Sequence, residues 1–349
     1  MHTLDFPGSI QFETTSRCNA KCGFCPYPET SKTEPQGTMD DDLFEKIVDE
    51  ISYYPVRLIQ PFLNNDPLMD RKIVTRLEHI IRKNPLSRVS ITTNGFLLRP
   101  EIARALAAMP LETIHISSNG LTREIYRETM GLDGFAVLSN VNLLWDEMKR
   151  QGSPTRLVVT AILMSTNKRE VEHMRQYWCA RGVTFYLNPL NNRAGNMTPE
   201  RFRDLLPFDE GANASQLRAY NMSGCPSLYA WMGILWNGDM VRCCMDWRRA
   251  KVLGNAREQS LYSLWHGREY GGLRAVSDAG RLNEMPLCGE CGENRFSIDP
   301  AVLRQVLSTK AESQLEAAND LRIFETIEAF RIQTPELIQL GLIRPEVAK

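Results

Sequence analysis

The sequence predicts an α/β protein, a partial (β/α)6 barrel followed by a small cysteine-rich module and a helical tail. Three observations carry that expectation. Residues 9 to about 190 alternate short apolar or β-branched runs with helical patterns, the rhythm of βα units around a parallel sheet. Polar residues gather directly after those runs, at the C-terminal strand ends where barrel enzymes keep their active sites. Nine cysteines fall into two groups, Cys18, Cys22 and Cys25 near the start and Cys225, Cys243, Cys244, Cys288 and Cys291 later, with Cys179 apart.

The first strand is read over Ser9–Thr14 and runs straight into the first cysteines. Val56–Phe62 is the second, followed by Asn64-Asn65-Asp66-Pro67, and Arg88–Thr93 is the third, followed by Asn94-Gly95. Thr113–Ser117 is the fourth, followed by Ser118-Asn119-Gly120. Leu157–Met164 and Val183–Leu187 complete the set, with Asn188 and Arg193 beyond the sixth. Helices are expected near Met39–Ser52, Asp70–Lys83, Pro100–Ala108, Phe135–Gln151 and Lys168–Ala180. Six units are too few for an eight-stranded barrel, so an open barrel over residues 1–198 is expected. From about Asn191 the rhythm gives way to Asn, Gly and Pro, and residues 199–223 read as a connector. The module at 224–298 contains a hairpin pattern, Ile234–Val241, around the turn signal Asn237-Gly238. The tail, 299–349, places Leu321, Ile323, Phe324, Ile327 and Phe330 at roughly helical spacing.

Composition narrows the function. With 41 Lys+Arg against 42 Asp+Glu and no long like-charge block, the main sequence argument for a nucleic-acid or anionic-membrane partner is gone. No run of about 18 apolar residues exists, and the N-terminus lacks the basic and apolar stretches of a secretory signal, so the expected compartment is the cytoplasm. In that reducing setting cysteines serve as metal ligands or reactive thiols more often than as disulfides.

Cys18-x3-Cys22-x2-Cys25 occupies a loop at the expected barrel mouth, with no His in the next 50 residues. A structural zinc site wants four ligands. Three cysteines on a [4Fe-4S] cubane would leave one iron open to a small molecule, as a reactive cofactor site requires. The alternative is three buried or zinc-binding thiols. The spacing, with Phe24 before the third cysteine, resembles the CxxxCxxC signature of the radical S-adenosylmethionine (SAM) superfamily.

That resemblance implies roles for the strand-end residues. Asn64-Asn65-Asp66-Pro67 stands where the superfamily usually has Gly-Gly-Glu-Pro, so Asn65 and Asp66 fall where the methionine ammonium is held. Thr93, Asn94, Ser117 and Ser118 match positions that reach ribose hydroxyls or the methionine carboxylate. Asn188 belongs to the same set, and Arg193 is placed to pair with that carboxylate. Phe24 is expected beside the cofactor.

Cys225-x17-Cys243 with the later Cys288-x2-Cys291 offers four thiolates, enough to close a second cluster or a zinc site. With Gly238-x4-Cys243, Leu253-Gly254-Asn255 and Leu264-Trp265, it resembles the SPASM and twitch auxiliary-cluster modules. The absence of further cysteines points to the shorter twitch form of an aminocyclitol dehydrogenase. The resemblance covers residues 9 to about 298. It implies two [4Fe-4S] clusters, SAM, an external one-electron reductant such as flavodoxin or ferredoxin, and oxidation of a small polar metabolite such as a sugar, aminocyclitol or nucleoside. Epimerisation, decarboxylation and peptide modification are the alternatives within the superfamily, and a non-catalytic iron–sulfur or zinc protein is the alternative outside it. Cys244 is read as a packed thiol or a hydrogen donor, and Cys179 as core. Tyr126, Arg127, Asp246 and Trp247 are read as substrate contacts or a solvated rim.

Overall fold

The computed structural model describes residues 5–188, 190–207, 217–219, 225, 227–291 and 296–298. The expected helical tail at 299–349 lies outside the described residues. In chain order the elements are β1 (Ser9–Phe12), α1 (Tyr27–Thr33), α2 (Asp41–Ile51), β2 (Leu58–Gln60), a 3-10 turn (Pro67–Met69), α3 (Ile73–Lys83), β3 (Arg88–Thr93), α4 (Pro100–Ala108), β4 (Thr113–Ser117), α5 (Arg123–Met130), α6 (Gly134–Gln151), β5 (Arg156–Ile162), α7 (Val171–Cys179) and β6 (Thr184–Asn188). There follow α8 (Pro199–Leu205), β7 (Leu217–Ala219), α9 (Ser227–Ala230), β8 (Trp231–Ile234), β9 (Asp239–Val241), β10 (Val252–Asn255), α10 (Leu261–Trp265), α11 (Arg268–Asp278), a second 3-10 turn (Leu282–Glu284), α12 (Pro286–Gly289) and β11 (Phe296–Ile298).

The strands β1 to β6 pair in chain order, all parallel, which is the expected partial barrel. Period-two alternation explains how each strand sits. Ile10, Phe12, Ile59, Ile91, Ile114, Ile116, Val159 and Leu187 are completely buried on one face. Phe12 meets Phe44 of α2, ring centroids 6.1 Å apart, so that face packs on the helices. Gln11, Gln60, Thr92, His115, Ser117, Thr160 and Asn188 occupy the opposite, inner face and are half-buried. A polar inner wall on a barrel with an apolar outer wall is suited to a polar guest.

The helices follow local rules. Asp40 caps α2 by accepting the Leu43 amide at 2.9 Å, and the stripe Leu43, Phe44, Ile47, Val48 and Ile51 is buried. Thr122 caps α5 and Gly131, at φ 68°, ends it. Within the barrel two helices, α1 and α5, lie outside the sequence expectation, as do α8, in the expected connector, and α9 to α12 beyond it. α1 is only seven residues long, and α5 holds four charged residues in eight, so neither gives a strong apolar period.

The C-terminal module is sewn into the barrel. β8 pairs parallel with β1 in register Ser9↔Trp231, Ile10↔Met232, Gln11↔Gly233 and Phe12↔Ile234, and β9 and β10 extend the sheet antiparallel to nine strands. The expected hairpin is present, with Gly238 at φ 96° in the loop. Side chains reinforce the join. Lys46 of α2 donates to the carbonyls of Ala256, Arg257 and Gln259, Arg257 pairs with Asp40, and Trp236 donates to the Pro35 carbonyl at 3.3 Å. Among the described residues no helix is long and apolar enough to cross a membrane.

The Trp236 contact yields a test. Gly37 lies flat against the indole, and a Cβ there would stand 2.3 Å from two ring atoms. Gly37→Ala should lower stability by about 1–3 kcal/mol through overpacking, and Trp236→Ala in the same chain should remove most of that penalty. Thermal unfolding of the four variants of this cycle checks it; an additive result would place the strain elsewhere.

Candidate functional site

The first cysteine loop leaves β1 at its C-terminal end and is fixed by neighbours on both sides. The Cys18 amide donates to the Tyr27 hydroxyl at 2.8 Å, the Lys21 and Gly23 amides donate to the carbonyls of Met130 and Thr129 at the end of α5, and the Cys25 amide donates to the Cys22 carbonyl at 3.2 Å. All three cysteines are half-buried free thiols. Burial pushes Cys18 up to about 12, and both Cys22 and Cys25 are raised for the same reason. Arg193 opposes the rise at Cys22 and Cys25, so its guanidinium stands close enough to act on both. Ionising thiols in so dry a place requires a cationic partner, as a bound metal would supply.

The predicted strand-end residues do assemble here, with differing tasks. The Asp66 carboxylate accepts from the Leu68 amide at 2.9 Å, the Thr93 hydroxyl at 2.9 and 3.0 Å and the Asn94 amide at 2.8 Å, so its lone pairs are committed inside the protein. Asp66 and Thr93 thus bind the β2 and β3 ends together. Asn94 donates from its side chain to Asn19 at 2.9 Å, and Asn19 belongs to the cysteine loop. Asn65 accepts the Leu63 amide through Oδ1 at 2.9 Å. Ser117 and Asn188 lie on the inner wall, in register with Thr160 and Ile162 of β5. Ser118 is buried beside Tyr126, and Phe24 is 6% exposed within the apolar core. Tyr126 is completely buried and so does not form a solvated rim, whereas Arg127 is exposed.

Around this loop Asn19 Nδ2, Asn65 Nδ2, Ser118 Oγ, the Tyr126 hydroxyl and Arg193 Nε are buried without a hydrogen-bond partner in the protein. Buried polar atoms are costly when unpaired. Donors of this kind, set beside three thiols, fit a polar ligand carrying carboxylate and hydroxyl groups.

The second group also converges. Cys243 is raised well above its ordinary range by burial and by the neighbouring Cys244, Cys225 and Cys291, and Cys225 is raised by burial and by Cys288. Cys243 thus lies near Cys225 and Cys291, and Cys225 near Cys288. Cys291 donates its amide to the Cys288 carbonyl at 3.3 Å. Among the described residues no three His, Cys, Asp or Glu side chains close around a single ion-sized point. Cys179 is exposed at the end of α7 and not in the core as expected, while Trp178 beside it is completely buried.

Residues 12–177 match the family model described as the radical SAM superfamily, and residues 225–292 match one described as an iron–sulfur cluster-binding domain, SPASM. The chain thus carries a radical SAM domain followed by a SPASM domain. Its cofactors are accordingly a [4Fe-4S] cluster and SAM, with further iron–sulfur in the SPASM domain. It is 27% identical over 158 residues to GTP 3',8-cyclase of Desulforamulus reducens, covering 44% of this chain and 46% of that protein. The chain thus spans about half the length of such relatives. To the SAM-dependent 2-deoxy-scyllo-inosamine dehydrogenase of Niallia circulans it is 22% identical over 288 residues, covering 81% of this chain and 91% of that protein. In structure it resembles BtrN crystallised with AdoMet and 2-DOIA, at TM-score 0.58 and 18% identity, over 84% of this chain and 95% of that one.

Between the barrel mouth and the SPASM hairpin lies a shallow cleft bordered by Glu13, Tyr27, Asn64, Trp247 and Arg249 among others. Sequence reasoning passed over Glu13, although it continues the inner, polar face of β1 two residues beyond Gln11. Its carboxyl is buried, accepts the Asn64 amide at 3.3 Å and the Trp236 amide at 3.5 Å, and is raised to about 7 by burial, which Arg249 and those amides only partly oppose. The neutral form is favoured in the fold, so this group costs nothing below its ordinary value of 4.5 and costs more as pH rises to about 7. Glu13→Gln should therefore gain stability relative to the unsubstituted chain between pH 5 and 8, by up to about 3 kcal/mol. Unfolding temperatures at the two pH values measure it; a difference that does not change with pH would mean that Glu13 ionises normally.

Proposed function

We propose that this radical SAM enzyme is an oxidoreductase that dehydrogenates a small hydroxylated or amine-bearing metabolite, of the aminocyclitol or sugar kind. The observation that carries the reading is the second group of four neighbouring cysteines, which leaves no vacant iron on a cubane and so suits electron transfer better than substrate binding. The similarity to the Niallia circulans dehydrogenase along nearly its whole length supports the same reaction type. The polar inner wall supports a polar substrate.

In this reading Cys18, Cys22 and Cys25 hold the first cluster, and Cys225, Cys243, Cys288 and Cys291 hold the second. When bound, the first cluster and SAM supply the hydrogen-abstracting radical chemistry of the superfamily. The chain's own residues do the rest. Asn65, Ser118, Tyr126 and Arg193 present their unpaired donors to SAM, with Arg193 on its carboxylate. Asp66 and Thr93 hold those donors in place from behind. Asn94, Ser117 and Asn188 border the same space, Phe24 packs beneath the loop, and the inner wall with the SPASM hairpin keeps water from the reacting carbon. Electrons enter from an external one-electron donor of the flavodoxin or ferredoxin type.

Two cubanes predict about eight irons per chain by ligand count. Replacing Cys18, Cys22 and Cys25 by Ala should remove about half of that iron and all release of 5'-deoxyadenosine; continued release would refute the assignment of the first group. The Cys288→Ala/Cys291→Ala double variant should keep its first cluster and some SAM cleavage while product formation collapses. Full product yield from a chain shown by iron analysis to lack the second cluster would remove the case for oxidation.

A further inference from the structure

The turn that follows β6 is held in an unusual conformation. Arg193, Ala194 and Gly195 are successive left-handed residues, at φ 51°, 53° and 78°. A side chain rarely adopts that region, and two neighbouring non-glycine residues doing so must be constrained by their surroundings. The constraint is a set of asparagines. Asn191 Oδ1 accepts the Arg193 amide at 3.0 Å, Asn192 Oδ1 accepts the Ala194 amide at 3.1 Å, and Asn196 Nδ2 donates to the Arg193 carbonyl at 2.7 Å.

The same asparagines reach in the other direction. Asn192 Nδ2 donates to the Glu290 carbonyl at 2.9 Å, between Cys288 and Cys291, and Asn196 Nδ2 donates to the Met245 carbonyl at 2.9 Å, two residues past Cys243. Gly195 lies so close to Glu290 that a Cβ would stand 2.2 Å from its Oε2. One short turn therefore touches two of the three ligand segments of the second cysteine group. From it projects Arg193, whose Nε is buried and has no partner in the protein, and α8, which follows the turn, returns to the first cysteine loop, where Arg201 donates to the Cys22 carbonyl at 3.2 Å.

We infer that the Asn191–Asn196 turn is a positioning element, through which the ligand loops of the second cysteine group set the Arg193 guanidinium for the carboxylate of SAM. The inference rests on the reading of Arg193 as the partner of that carboxylate. Its consequence is that the SPASM domain governs SAM binding at the first cluster without touching SAM. Asn192 and Asn196 are positioning residues, acting only by way of Arg193.

A double-mutant cycle tests this with the dissociation constant for SAM, measured by equilibrium dialysis on anaerobically reconstituted protein whose iron content shows both clusters loaded. Arg193→Ala and Asn196→Ala should each weaken binding by about tenfold, and the double variant should be no weaker than Arg193→Ala alone, because groups acting through one contact are not additive. The change that SAM causes in the g-values of the reduced first cluster should be altered alike in all three. If Arg193→Ala weakens binding and Asn196→Ala leaves it within twofold, the coupling is overturned while the assignment of Arg193 stands. If Arg193→Ala leaves binding unchanged, the assignment itself falls and the inference with it. An additive double variant would show that Asn196 acts independently and would likewise overturn the coupling. Asn192→Ala repeats the cycle from the other anchor, so a folding defect in one variant does not decide the matter.

Discussion

The pairing of β1 with two parallel partners is the constraint on which the rest of the molecule depends. On one side Ser9–Gln11 ladders with Leu58–Gln60, and on the other Ser9–Phe12 ladders with Trp231–Ile234. Because all three strands run the same way, everything that leaves their C-terminal ends arrives at one rim. The first cysteine loop leaves β1 and the Asn64-Asn65 segment leaves β2 there, while β8 enters the hairpin whose return strand, β9, runs back antiparallel toward Cys243. Two groups of cysteines separated by about two hundred residues of sequence are thus tied to one sheet, whose neighbouring strands lie about 5 Å apart across the ladder. Their relation is set by backbone hydrogen bonds, which side-chain substitutions scarcely disturb.

Beneath the rim, buried charge replaces regular structure as the means of fixing loops. Arg76 of α3 is 4% exposed, pairs with Asp70 at 2.9 Å, and donates to the carbonyls of Thr14 and Met39. It stacks over Phe44 at 4.9 Å. Thr14 is the residue at which β1 turns into the cysteine loop, so a guanidinium holds that corner. Asp66 does the equivalent on the other side, gathering the β2 and β3 ends and, through Asn94 and Asn19, the loop itself. Such buried polar networks hold the loops in place, and a rigid frame is what a radical reaction requires of its surroundings.

How much of this could be read from the chain depended on the range of the signal. Cysteine spacing is local, and it marked both groups. Strand alternation is local too, and it located all six barrel strands to within a few residues. The β1–β8 pairing joins residues more than two hundred positions apart, and no short pattern announces it. The hairpin was legible as a hairpin, but its place in the barrel sheet was not. Glu13 and Asp66 illustrate a second limit. The family resemblance cast Asp66 as a ligand contact because it stands at the Glu of Gly-Gly-Glu-Pro, yet the fold commits its oxygens to amides and a hydroxyl. Glu13 drew no notice, although burial raises its carboxyl to about 7. Only burial and partners distinguish the two, and these belong to the folded state. The left-handed backbone of Arg193 is likewise invisible beforehand, since Asn-rich turns permit it without requiring it.

The β1–β8 ladder also bears on how the chain is made. On the ribosome β1 emerges early, and its second partner appears only after residue 231 has been synthesised. For most of translation one flank of β1 is an open strand edge flanked by apolar Ile10 and Phe12, the kind of edge that recruits foreign strands. Long-range closure is slow because the intervening loop must first be ordered. Vectorial synthesis therefore leaves the barrel unsealed until its last sheet partner arrives, and the yield of correctly assembled protein is governed by that late step and by whatever shields β1 in the interval.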